Sequence, residues 1–194
     1  MFIKAVLNLY KMDKAIIDIN KNSFEGILRS AYETLKRECA GVLFGENAEK
    51  KSGLIYHVES VHPIQLAKRF PKSIEYDEDT LKRAEWGLFN ECIGGYHLHP
   101  ASIRPKDEMQ GIYHKRVCLS DADSESVKDG KIEIVISLRK VKKEGKLKNE
   151  NPFLVSGYIK DGSIYRFDIG GYYRNGRIRR AEIKVPKSIL RMAI

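Results

Sequence analysis

The chain has 194 residues, 42% of them hydrophobic and 31% charged. That is enough for one domain with a real core and too little for two full ones. A net charge of +9 and a pI near 9.4 bring nucleic acid or an acidic protein partner into view, but the Lys and Arg residues are scattered and form no long block. Cys39, Cys92 and Cys118 contain no CxxC pair and no disulfide framework, which points to a reducing compartment. No run reaches the length of a membrane span, and Lys4 and Lys11 interrupt the apolar N-terminus, where no signal-peptide cleavage pattern follows. The expected location is the cytoplasm.

In chain order, residues 2–10 read as an extra edge strand and residues 15–19 as a second strand. Asn22 or Ser23 can cap a helix whose Phe24, Ile27, Leu28, Ala31 and Leu35 recur at helical spacing. Residues 39–45 form an apolar run closed by glycine, as in a buried strand. A polar turn over 47–52 leads to a longer strand over 54–61, which His62-Pro63 ends or bulges. Residues 72–76 are a weaker strand candidate. Asp77-Glu78-Asp79-Thr80 then opens a helix through Asn90, with Leu81, Ala84, Leu88 and Phe89 on its inner face.

The next apolar run ends in Gly94-Gly95-Tyr96-His97-Leu98-His99-Pro100. Alternate strand residues share a face, so His97 and His99 can aim two imidazoles at one point before Pro100 stops the strand. Converging neutral imidazoles suit a transition metal, most commonly zinc. A long connection follows, with a possible short helix over 106–113. Ser120 can cap another short helix through Val127, with Asp121 and Asp123 in its first turn. Residues 132–138 alternate and are β-branched. Residues 153–160 and 163–169 make a hairpin around Asp161-Gly162. The basic end, with Tyr172, Tyr173, Arg174, Arg177, Arg179 and Arg180, reads as a last strand over 181–185 and a short helix after Pro186.

Glu38-Cys39-Ala40-Gly41-Val42-Leu43-Phe44-Gly45, followed later by His97-Leu98-His99-Pro100, resembles the JAMM (MPN+) metalloprotease family. In that family a glutamate opens a strand of the form E-x-x-G-x-L-x-G, and a later strand ends in H-x-H-P. A serine-x-x-aspartate segment completes the site. The resemblance spans roughly residues 13–169 and implies an α+β fold of the cytidine-deaminase-like/JAMM type. That is one domain with a mixed, mainly antiparallel sheet and two main helices, an extra strand over 1–12 and a basic extension over 170–194. It implies zinc held by His97, His99 and a carboxylate, with Glu38 as general base on an activated water. The family's usual spacing after the second histidine fails here: it lands near Gln110, with Asp107 where the serine belongs. Ser120-Asp121-Ala122-Asp123 fits the serine-x-x-aspartate form after a longer loop. Asp123 is therefore the expected third ligand, Ser120 the expected oxyanion stabiliser, and Asp107 the alternative ligand. His57, His62 and His114 are left outside the site.

The implied activity is a zinc metallo-isopeptidase that cleaves a ubiquitin-like modifier from a lysine amine, with an acidic modifier or target favoured by the chain's charge. The alternative is a catalytically silent MPN-type scaffold within a larger assembly. A third reading, nucleic-acid binding, draws on the tyrosine-interleaved basic run 172–180.

Overall fold

Alternation of β-branched and aromatic residues along most of the chain produces a structure made mainly of strands. The computed structural model describes residues 14–35, 37–50, 53–64, 68–69, 74–75, 79–80, 82, 91–100, 117–145 and 151–193. Along them run β1 (Ala15–Ile19), α1 (Lys21–Thr34), β2 (Ala40–Lys50), β3 (Gly53–Pro63), β4 (Lys68–Arg69), β5 (Ile74–Glu75) and β6 (Glu91–Pro100). Then come α2 (Asp121–Ser126), β7 (Ile132–Val141), β8 (Leu154–Asp161), β9 (Ser163–Asn175), β10 (Arg177–Lys184), a 3-10 turn (Lys187–Ile189) and β11 (Arg191–Ala193). No helix among these residues is long and apolar enough to cross a membrane.

The strands pair in the order β10-β1-β3-β2-β6-β7-β9, and β9 pairs again with β10, so seven strands close into a barrel. This corrects the expectation of an α+β domain with a mixed, mainly antiparallel sheet and two main helices. The reason lies in the basic C-terminal residues. β9 does not stop at residue 169 but continues to Asn175 and turns at Gly176, whose φ of +67° suits glycine. β10 returns antiparallel to β9, and its other edge pairs in parallel with β1 through Ile16↔Glu182, Ile17↔Ile183 and Asp18↔Lys184. Residues 170–184 are thus the closing strands of the barrel rather than an extension, and closure removes two sheet edges. β8 and β11 continue outward from β9.

One face of the sheet makes the main core, drawn from all seven strands of the ring and from α1. α1 buries Phe24, Ile27, Leu28 and Ala31, as its periodicity requires, each contributing on the order of 1–3 kcal/mol. Phe24 packs edge-on against Phe167 of β9 at 5.8 Å. The helix cap is Asn20 rather than Asn22 or Ser23. Its Oδ1 accepts from Ser23 N at 2.8 Å while its Nδ2 donates to Glu59 O, which ties the cap to β3. The polar stretch expected to turn over 47–52 is instead mostly strand, because β2 and β3 stay paired out to Lys50↔Gly53. The strand expected over 2–10, the short helix over 106–113 and most of the helix expected from Asp77 to Asn90 lie outside the described residues.

Candidate metal centre

Parallel pairing between β6 and β7 sets the site. Gly95 lies opposite Glu133, His97 opposite Val135 and His99 opposite Ser137. Tyr96 and Leu98 point into the main core, which leaves Gly95, His97 and His99 on the other face. A Cβ at Gly94 would sit 2.0 Å from Ile132 O, so only glycine lets β6 approach β7 this closely at the strand's bend.

The two imidazoles converge, with His97 Nε2 and His99 Nε2 3.1 Å apart. Asp123 Oδ2 lies 3.6 Å from each of them. The circle through those three atoms has a radius of about 2.0 Å, the length of a metal–imidazole bond. His97, His99 and Asp123 form the one group among the described residues that could hold a metal ion.

Asp123 reaches this point from the first turn of α2. Ser120 caps that helix in a capping box: Asp123 N donates to Ser120 Oγ at 3.1 Å, and Ser120 N donates to Asp123 Oδ2 at 2.9 Å. Ser120 Oγ also donates to the same Oδ2 at 2.7 Å. The Ser120 hydroxyl is thus directed at the Asp123 carboxylate, which it orients.

Glu38 enters through β2. Ala40 pairs with His97, and Cys39 O accepts from Leu98 N at 2.9 Å, so the ladder persists toward residue 38. Continuing that antiparallel register sets Glu38 opposite His99, on the same face as both histidines. Burial raises the Glu38 pKa; His97 and His99 pull it down, and Asp123 pushes it up again.

Behind His97 stands a residue that sequence reasoning missed. His97 Nδ1 donates to Glu133 Oε1 at 2.7 Å, which leaves Nε2 as the nitrogen facing Asp123. The available signal was a lone acid in the otherwise apolar run Ile132–Ile136, but its partner lies 36 residues away and only the parallel register brings them together. Burial opposes a charged imidazole at His97, yet the Asp123 and Glu133 carboxylates that face its two ring nitrogens lift its pKa well above the ordinary value. Burial would likewise raise Asp123, but the His97 and His99 imidazoles facing it at 3.6 Å and the hydrogen bond from Ser120 hold it far below the usual carboxylate range. The arrangement stabilises positive charge at the point where the three ligand atoms meet.

No family model matches this chain, and none of the curated proteins does. Among solved structures, the solution structure of protein DSY2949 from Desulfitobacterium hafniense is similar, with a TM-score of 0.50 and 17% sequence identity. The similarity covers 88% of this chain and 92% of that one, and it is a likeness of fold alone. The chemistry therefore has to be read from the side chains.

The remaining candidates fall away from the centre. His57 Nδ1 lies 3.3 Å from Asp18, and exposed His62 packs at a tilt against Phe44, ring centroids 4.9 Å apart. Asp107 and His114 lie outside the described residues. Cys39 is buried, Cys92 and Cys118 are partly so, and none of the three is in a disulfide.

Gly95 has a particular task. A Cβ there would come within 2.8 Å of Glu133 Oε2 and displace the carboxylate that holds His97. Only a side-chain end must shift, so Gly95→Ala is expected to fold while its metal affinity falls about tenfold, as does that of Glu133→Gln. Competition with a chromophoric chelator checks this; wild-type affinity in both variants would remove Glu133 from any role at the site.

Proposed function

We propose that this chain is a zinc-dependent metallo-isopeptidase that removes a ubiquitin-like modifier by hydrolysing its C-terminal (iso)peptide bond. The observation that carries the reading is the meeting of His97, His99 and Asp123 on one small triangle, with Glu38 on the same sheet face. Two imidazoles and a carboxylate are a donor set of catalytic zinc sites, which keep a further position open. Support comes from these residues and from their order in the chain, both similar to the JAMM (MPN+) pattern, and not from the barrel.

Zinc bound there would polarise the scissile carbonyl and bring the attacking water's pKa toward neutrality. Glu38 takes the proton from that water and returns it to the leaving lysine amine. A half-buried carboxylate whose pKa is raised by desolvation is suited to both transfers. Ser120 fixes the rotamer of Asp123, and Glu133 fixes the tautomer of His97. The positive net charge favours an acidic modifier or target.

Zinc content after exhaustive dialysis tests the reading. Wild type should retain one zinc per chain, His99→Ala and Asp123→Ala should lose it, and Asp107→Ala should keep it. The loaded protein should then cleave a conjugate joined through a diglycyl-lysine isopeptide bond. Wild type that retains no zinc overturns the proposal, and retained zinc without cleavage favours the silent scaffold.

A further inference from the structure

The weakest-looking part of the site is α2. It has six residues and buries none of them, and a helix of that length does not hold itself together in water. Yet it delivers Asp123 Oδ2 to 3.6 Å from both imidazoles. We propose that Tyr172, Arg174 and Arg180 of the β9–β10 hairpin are positioning residues that frame the 117–130 segment and thereby hold the third metal ligand in place. The inference rests on the reading of His97, His99 and Asp123 as a metal centre.

The frame grips the segment at both ends and in the middle. At its start, Tyr172 Oη donates to Val117 O at 2.7 Å, and Val117 is buried over Gly170, where a Cβ would lie 3.0 Å from the same carbonyl. Arg180 Nη2 donates to Tyr172 Oη at 3.0 Å and lies 3.8 Å from Cys118 Sγ, with its guanidinium over the Tyr172 ring. In the middle, Arg174 Nη2 donates to Ser124 O, one residue beyond the ligand. At the far end, Gly130 N donates to Arg174 O at 3.0 Å and Gly176 N to Asp129 Oδ1 at 2.8 Å. Val117, Val135, Leu154 and Tyr172 pack as a small apolar cluster beneath these bonds. The tyrosines and arginines that resemble a phosphate-binding stripe in the sequence are thus spent, in part, on a carbonyl scaffold.

Electrostatics make the test clean. Arg174→Ala and Arg180→Ala each remove a positive charge and, by Coulomb's law alone, should not weaken binding of a dication. A loss of affinity therefore reports lost positioning. Zinc Kd is to be measured by chelator competition for wild type, Arg174→Ala, Arg180→Ala and the control Arg177→Ala, which changes an exposed arginine on the same hairpin. Arg174→Ala and Arg180→Ala should bind about tenfold more weakly, and Arg177→Ala as wild type. Unchanged or tighter binding in both frame variants overturns the frame and leaves the metal centre standing. Wild type without zinc overturns the metal reading and the frame with it. Should circular dichroism show Arg174→Ala unfolded, Arg174→Lys and Tyr172→Phe decide the matter. Weaker zinc binding in these folded variants supports the frame, and wild-type affinity in both overturns it.

Discussion

Glu38→Gln is expected to keep its zinc and to lose roughly a hundred- to ten-thousand-fold in turnover on an isopeptide-linked substrate. Glutamine matches glutamate in shape and can still accept a hydrogen bond, but it takes up no proton at working pH. The effect should therefore fall on kcat rather than on metal content. Position is what makes Glu38 the candidate. It lies between the last turn of α1, where Arg37 N donates to Thr34 O, and the first paired residues of β2. Ala40↔His97 and the Leu98 N–Cys39 O bond lead the chain toward that face, and both histidines act on the Glu38 carboxylate. The two other carboxylates described at the site already hold orienting bonds: Asp123 carries the Ser120 hydrogen bonds and Glu133 carries His97. Undiminished turnover in Glu38→Gln, with zinc retained, would remove it from the chemistry.

The legible and illegible parts of this molecule divide along sequence separation. His97 and His99 could be paired from their spacing because strand alternation is local, and Ser120 and Asp123 because a capping motif spans four residues. What joins Asp123 to the histidines is longer in range, and only chain order hinted at it. Glu133 was missed because its meaning depends on the register of β6 against β7, which a single sequence does not print. Barrel closure was missed for the same reason in larger form. β1 and β10 pair across most of the chain's length, and the strand that closes the ring is built from basic residues that read as a tail. Its inward positions are nevertheless apolar, with Ala181 and Ile183 both buried in the main core. The helix cap shows the local limit. Asn20-Lys21-Asn22-Ser23 offers three capping residues within four, and the choice falls on Asn20 because only there does Nδ2 also meet Glu59 O on β3.

Zinc affinity should keep rising with pH beyond neutrality, by about tenfold per unit, between about pH 7 and 8.5. A metal takes a neutral imidazole, so wherever His97 is protonated in the metal-free chain, binding must expel that proton. At an ordinary histidine the slope would flatten above about pH 6.5. Here burial favours the neutral ring, but the Asp123 and Glu133 carboxylates that face its two nitrogens outweigh it and raise the His97 pKa. The sign follows: below the raised pKa one proton is exchanged for one metal ion, and affinity climbs as pH rises until that pKa is passed. Glu133 supplies part of the lift through its 2.7 Å contact with Nδ1, so Glu133→Gln should move the end of the slope to lower pH. Chelator competition at several pH values, with the chelator's own protonation corrected, gives both curves. A wild-type curve already flat at pH 7 would mean that the two carboxylates do not hold a proton on His97. A slope that ends at the same pH in both proteins would assign that proton to Asp123 alone.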